Sequence, residues 1–349
     1  MSFEAALAAE LQAHPSAEAR DIVKFCFQSA FGGAHLLKDP AVAREALLAE
    51  IASVPPRSLP LTSPLGGGLF RIELAAWRAM RLPGEWLFSL VLSSAERTEG
   101  SEQAFIARLE EATRLLSEGH YAITADALRR EAAALRAFGI RPVSHSAAYR
   151  EAEHPAYRIL DSRSLRLIPI LAAVAAIGRR DRPTVLRIDG RAASGKSSMA
   201  AELARILGCG VVHMDDFFLP KEMRTEARLS LPGGNVHHER FASEVLPHLA
   251  DARGFSYRRF DCSLGRLEGL RTVAPGAIYL VEGSYSAHPA LGAYADLTVF
   301  SDVDPKTQLA RIAARNGTEM AEVFRTRWIP MEEAYLAAFK IAEGADLTV

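Results

Sequence analysis

Lys196 and Ser197 close the run Gly190-Arg-Ala-Ala-Ser-Gly-Lys-Ser, in which a glycine is followed after four residues by Gly-Lys-Ser. That spacing suits a loop whose main chain wraps a polyphosphate. Gly190 and Gly195 let the backbone approach, Lys196 reaches the β and γ phosphates, and the Ser197 hydroxyl can ligate Mg²⁺. Ala193, Ser194, Gly195 and Ser198 complete the residues expected to line the phosphates. Lys196 is the only lysine between Lys38 and Lys221, so its presence here is not a by-product of a lysine-rich composition. Further polar groups follow apolar runs downstream. Asp215 and Asp216 come after Val211 to Met214; one of them could accept a hydroxyl proton, or both could hold Mg²⁺ through water. Glu282 ends the run Ile278 to Val281 beside Gly283, a place from which an acid orients magnesium and its waters. Arg311 and Arg315 stand one helical turn apart, with Arg325 and Arg327 beyond, and arginines able to close on a transferring phosphoryl group match a loose, highly charged transition state. The segment Phe255 to Asp261 mixes aromatic surface with the forked donors Arg258 and Arg259 and an acid.

These groups need a frame that puts them at strand ends. Thr184 to Asp189 reads as a strand, and Lys196 to Leu207 as a helix with Met199, Leu203, Ile206 and Leu207 on one side and Gly208 after its end. Val211 to Met214, Ala277 to Glu282, Leu297 to Ser301 and Asp346 to Val349 supply further strands. Helices are expected near 196 to 207, 238 to 250, 304 to 315 and 330 to 342. Strand and helix in alternation predict an α/β fold, a parallel sheet with helices on both faces and its ligands at the carboxyl ends of the strands. Up to about residue 165 the pattern is helical instead, with Ser101 and Thr124 opening amphipathic helices that Gly119 and Gly139 follow. No alternating strand run stands out there, Pro55 to Gly68 reads as a loop, and Gly66 to Gly68 as its flexible part. Residues 1–165 are therefore expected to form a mostly α-helical domain and 166–349 the phosphate-binding one. Trp77 and Trp86 are expected to pack in the first half.

At 349 residues two domains are the natural expectation, and 49% hydrophobic with 24% charged residues is ordinary for a soluble chain. A net charge of -1 offers no basic excess for nucleic acid or an anionic membrane. The longest uncharged stretch, Leu167 to Gly178, is too short to cross a bilayer and contains Pro169. Cys26, Cys209 and Cys262 are odd in number and far apart, and the N-terminus carries Glu4 and Glu10 rather than a basic start and an apolar run, which reads as a reduced cytoplasmic protein. His35, His120, His145 and His154 share no close ligand spacing, so a metal site in the first half is not expected.

Residues 180 to 349 resemble the uridine kinase and phosphoribulokinase family of P-loop kinases. The resemblance rests on Gly190 to Ser197, Met-Asp-Asp-Phe-Phe at 214 to 218, Arg-Arg-Phe-Asp at 258 to 261, Val-Glu-Gly at 281 to 283 and the arginine-bearing helix. It implies ATP and Mg²⁺ as cofactors, Asp215 as the base that activates an alcohol, Glu282 as the acid that orients the metal, and Arg315 as the lid arginine. Two departures stand out. His237, in Gly-Gly-Asn-Val-His-His-Glu-Arg-Phe, replaces an acid that can bond sugar hydroxyls, and Ser263, Leu264 and Gly265 stand where uridine kinases tend to carry a histidine. The chain is thus similar to the uridine kinase-like branch more than to uridine kinases proper. Asp21 to Leu36 and His145 to Ile159 resemble stretches fused to other kinases of that branch.

The expected activity is transfer of a γ-phosphate from ATP to an alcohol group of a nucleoside or other polar metabolite. The expected acceptor pocket holds Phe218, His237, Arg259, Asp261 and Tyr285, from their place beyond strand ends. The competing expectation is a regulatory NTPase whose nucleotide state controls a protein partner, and a homo-oligomer is left open.

Overall fold

A computed structural model describes residues 1–261 and 264–349; Cys262 and Ser263, the latter one of the positions read above as a departure, lie outside the described residues. The chain divides into two units, Met1–Ile168 and Pro169–Val349, each with its own apolar core.

The N-terminal unit is built from α1 (Phe3–Ala13), α2 (Ala19–Phe31), α3 (Pro40–Ser53), α4 (Leu74–Ala79), α5 (Gly84–Arg97), α6 (Glu102–Glu118), α7 (Ala125–Ala137) and α8 (Ala147–Glu153). Ser101 caps α6 by accepting from the Ala104 N–H, and Thr124 caps α7 by accepting from Ala127. Phe3, Leu7, Phe25, Cys26, Phe105 and Leu128 meet in the core, and Trp77 is fully buried. No alternating strand run stands out in the sequence of this half, yet it contains a sheet. Strands β1 (Thr62–Gly66), β2 (Leu69–Glu73) and β3 (Tyr157–Asp161) form an antiparallel sheet in that order. Pro64 sits on the edge strand, where a missing N–H costs no ladder bond. Gly66, Gly67 and Gly68 take φ of 81°, 64° and 79° and make the turn between β1 and β2, so they are not the flexible part of a loop. The partner β3 arrives from far along the sequence, which local periodicity does not reveal.

Against this sheet lies a buried polar network. Arg71 on β2 donates to Glu10 at 2.6 Å and to Gln28 at 3.0 Å, and its guanidinium lies 4.7 Å from the centre of the Tyr157 ring. His145 Nδ1 stands 2.7 Å from Asp21 and Nε2 stands 2.6 Å from the Tyr157 hydroxyl, while the Ser146 N–H donates to the same Asp21 oxygen at 3.0 Å. Burial alone would raise the Asp21 carboxyl, but these bonds outweigh it and hold the group at about 2. Because the folded value lies below the unfolded one, the stabilisation is complete above the ordinary value of 3.8 and disappears as pH falls toward 2. Replacing Asp21 by Ala should leave buried donors unpaired and cost the N-terminal unit about 3 kcal/mol. Scanning calorimetry should show its transition lowered at pH 7, with a smaller further loss between pH 4 and pH 2 than in the parent chain.

The C-terminal unit carries β4 (Thr184–Gly190), β5 (Gly210–His213), β6 (Phe255–Asp261), β7 (Arg266–Val273), β8 (Ile278–Glu282), β9 (Leu297–Ser301) and β10 (Leu347–Thr348). Five of these make a parallel sheet in the order β10-β9-β4-β8-β5. Helices flank the sheet; the helices of this unit are α10 (Lys196–Leu207), α11 (Glu226–Leu229), α12 (His238–Glu244), α13 (Pro305–Asn316), α14 (Thr318–Val323) and α15 (Ile329–Phe339), and α9 (Ser162–Ile177) contains the division between the units. Strand β9 is buried throughout and β8 from Tyr279 onward, as a sheet covered on both faces requires. Strands β6 and β7 form a separate antiparallel hairpin between β5 and β8 in the chain. With β8 and β9 on either side of β4, the strand order reverses at the centre of the sheet, and the carboxyl ends of β4, β5 and β8 open toward one place.

Candidate active site

The loop from Gly190 to Gly195 is shaped by backbone constraints before any side chain acts. Gly190 has φ 139°, and a Cβ there would run into the Ser301 carbonyl of β9. Gly195 has φ 100° and caps α10 without a side-chain bond, while Ala193 takes the left-handed φ of 57° that a side chain rarely adopts. These turns aim the first N–H groups of α10 out of the loop, where the helix itself offers no acceptor. Two helices hold the loop's outer side. From α13, Gln308 donates to the Ala192 carbonyl at 3.1 Å and Arg311 to the Ala193 carbonyl at 3.1 Å. From α15, Glu332 accepts the Ala192 N–H at 2.6 Å and Glu333 pairs with Arg191 at 2.6 Å. Arg191 also pairs with Asp302.

Lys196, 7% exposed, folds its ammonium back onto the Gly190 and Arg191 carbonyls, at 2.7 Å each. Ser197 donates to Glu282 Oε2 at 3.1 Å, and His213 Nδ1 stands 2.6 Å from Glu282 Oε1. Beyond β5 the chain makes a tight turn over Met214–Phe217 that separates the two adjacent acids. Asp216 is buried, accepts the Tyr257 hydroxyl at 2.8 Å and pairs with Arg271 at 2.6 Å. Asp215 is exposed to solvent and makes no hydrogen bond or ion pair among the described residues. Its carboxyl is raised above the ordinary range, first by the protein crowding around it and then by repulsion from Glu282, with Lys196 pulling in the opposite direction.

Residues 217–219 and 235–237 run side by side: Phe218 bridges Val236, and the His237 N–H donates to the Phe217 carbonyl at 2.6 Å. Phe218 and His237 are thereby set at the Asp215 turn. Tyr285 follows β8 with φ 73°, held by Asp189, which accepts its N–H at 3.2 Å while also taking the Tyr335 hydroxyl at 2.7 Å. The Tyr285 hydroxyl is raised by burial and by the acids around it, Asp215 among them.

Lys196, Ser197, Asp215, Glu282 and Tyr285 thus converge. Other expected residues stand elsewhere. Arg315 is exposed and gives its guanidinium to the neighbouring Asn316 at 2.8 Å, while Arg311 one turn earlier reaches the phosphate loop. Arg259 and Asp261 pair with each other at 2.9 Å on the hairpin. Residues the sequence reading missed include His213, Tyr257 and Arg271, and the clasp made by Gln308 and Glu332. His213 carried a signal as the polar residue two places before Asp215, and Tyr257 as part of the aromatic segment at 255 to 261.

The oxygen set of Ser197, Asp215 and Glu282 fits a hard cation bound mainly through its ligand's phosphates, since magnesium keeps most of its waters and takes one or two protein groups. Among the described residues no cluster of three or more His, Cys, Asp or Glu could hold an ion by itself. The buried Ser194 hydroxyl, without a partner in the phosphate loop, is a further group a bound polyphosphate could satisfy. No described helix is long and apolar enough to cross a membrane.

Strand, glycine loop and helix at the centre of a parallel sheet define an α/β P-loop fold. No family model matches the chain, and no curated protein matches it. Solved structures similar to it include one described as a possible uridine kinase from Bacillus stearothermophilus, at 19% identity and TM-score 0.41, covering 53% of this chain and 97% of that one. A "putative fructose transport system kinase" from Silicibacter sp. matches at 24% identity and TM-score 0.42, over 49% and 92%. D-glycerate 3-kinase from Cryptococcus neoformans matches at 16% identity and TM-score 0.36, over 48% and 85%. Each of the three likenesses covers about half of this chain.

The two neighbouring acids should separate cleanly in stability measurements. Asp216→Asn should lower the unfolding free energy by about 2 kcal/mol, because it takes the charge from a buried bonded carboxylate and weakens its grip on Arg271. Asp215→Asn should leave it unchanged or raise it, because a charge facing Glu282 is removed. Urea unfolding of the two variants tests the pair.

Proposed function

We propose that the C-terminal unit is an ATP-dependent kinase that transfers the γ-phosphate to an alcohol group of a small polar metabolite. The observation that supports this most is the unengaged Asp215 carboxylate, beside Glu282 and Lys196, at the mouth of a loop shaped for a polyphosphate. In this reading the N–H groups of residues 193–198 and the Lys196 ammonium bind the phosphates. Ser197 and Glu282 would hold Mg²⁺, which when bound neutralises charge on the β and γ oxygens.

Asp215 takes the proton from the acceptor hydroxyl as its oxygen attacks. A carboxyl raised above its usual range is a better match for that task than an ordinary aspartate. Arg311 is better placed than Arg315 to reach charge at the phosphate loop, because it already bonds that loop's carbonyls. The acceptor lies against Phe218, His237 and Tyr285, the expected pocket residues nearest Asp215. Arg259 and Asp261, on the hairpin, belong to this pocket only if the hairpin folds over the acceptor.

Release of ADP from ATP and Mg²⁺ in the presence of nucleosides, sugars, polyols and hydroxy acids in turn should identify an acceptor that accelerates turnover well above the acceptor-free rate. Asp215→Asn should reduce that acceptor-dependent rate by about 10²- to 10⁴-fold while nucleotide affinity stays within about threefold. Full turnover by the variant would remove Asp215 as the base. Fast acceptor-independent hydrolysis by the parent chain would favour a nucleotide-driven switch instead.

A further inference from the structure

His213 and Glu282 are register partners on the adjacent parallel strands β5 and β8, so the sheet itself sets them side by side at its carboxyl edge. Their side chains meet at 2.6 Å, through His213 Nδ1 and Glu282 Oε1. The other carboxylate oxygen, Oε2, takes the Ser197 hydroxyl at 3.1 Å. Glu282 is 4% exposed, so water cannot replace a lost partner cheaply. The His213 backbone is fixed as well. Its N–H donates to the Tyr257 hydroxyl at 3.1 Å, and that hydroxyl donates on to Asp216 at 2.8 Å, where Arg271 closes the chain. This chain of contacts fixes the backbone from which the imidazole reaches Glu282.

We infer that His213 is a positioning residue for the metal: by donating from Nδ1 to Oε1 it orients the Glu282 carboxylate so that Oε2 faces Ser197, where Mg²⁺ would be held. This rests on the proposed kinase reading and adds to it a residue that touches neither phosphate nor acceptor. Removing a partner that orients a metal-binding carboxylate characteristically weakens metal affinity by about 10- to 100-fold. The loss should fall on the metal and not on the nucleotide, because no contact of His213 reaches the phosphate loop among the described residues.

The test is calorimetric titration of the full chain with a non-hydrolysable ATP analogue, with and without Mg²⁺, in the parent chain and in His213→Ala, His213→Val and His213→Asn. Asn places an N–H donor where Nδ1 stands; Ala and Val remove it, and either serves if the other does not fold. The expected result is that the strengthening of nucleotide binding by Mg²⁺ falls about tenfold or more in Ala or Val. It should return to within about threefold of the parent value in Asn, with Mg²⁺-free affinity unchanged in all. Two results overturn the inference: an undiminished Mg²⁺ effect in Ala and Val, or an equal loss of affinity with and without the metal. If the parent chain binds no nucleotide at all, the kinase reading has failed, an outcome distinct from a parent that binds and a His213 variant that binds equally well.

Discussion

The constraint on which the C-terminal unit depends is that a short stretch of main chain must turn its N–H groups outward without collapsing onto itself. Gly190 and Gly195 permit the turns, and Ala193 accepts a left-handed conformation that costs about 1 kcal/mol or more. What keeps the loop open is support from behind. The Ser301 carbonyl leaves no room for a side chain at Gly190, Gln308 and Arg311 bond the Ala192 and Ala193 carbonyls, and Glu332 takes the Ala192 N–H. Lys196 fills the remaining gap by bonding the loop's own carbonyls, which parks its charge where a polyphosphate would lie. Strand order follows from the same requirement, since only a central strand has neighbours on both sides to brace such a loop.

Several acids stand around this loop, and their surroundings rather than their type assign their work. Asp189 is fully buried, raised by that burial, and satisfied by the N–H groups of Gly190, Tyr285 and Ala287 and the Tyr335 hydroxyl, so it serves as a brace. Glu332 is likewise raised by burial and is spent on Ala192 and Ser284. Asp216 anchors the hairpin through Tyr257 and Arg271. Glu282 is held from one side by His213 and from the other by Ser197, and only Asp215 is left unpaired and open to solvent among the described residues. On the proposed reading, the one acid left free among saturated neighbours is the one that takes the proton.

Much of this frame was legible in the sequence. The phosphate loop announced itself through spacing joined to an apolar strand and an amphipathic helix, and the strands of the parallel sheet through short β-branched runs that end in polar residues. The placement of Asp215 and Glu282 at strand ends was legible for the same reason. The hairpin of β6 and β7 was not read as strands, because its alternation of aromatic and arginine residues looked like a recognition segment. In the first half, Pro64 and three consecutive glycines disguised a strand and its turn, and β3 lies too far along the chain for any local pattern to pair it. The pairing of His213 with Glu282 and the grip of α13 and α15 on the loop depend on strand order and helix placement, which spacing alone does not encode. Arg315 and Arg311 share one helix face by periodicity, and only the packing distinguishes them.

The account stands on the phosphate loop as a working anion cradle, and one titration addresses that directly. Calorimetry of the full chain with ATP and with AMP, both in the presence of Mg²⁺, compares ligands that differ only in the phosphates the loop is built to hold. The account predicts saturable binding of ATP at one site and much weaker binding of AMP, with the difference lost in Lys196→Ala. Equal affinity for the two nucleotides, or no measurable binding of either, would contradict it.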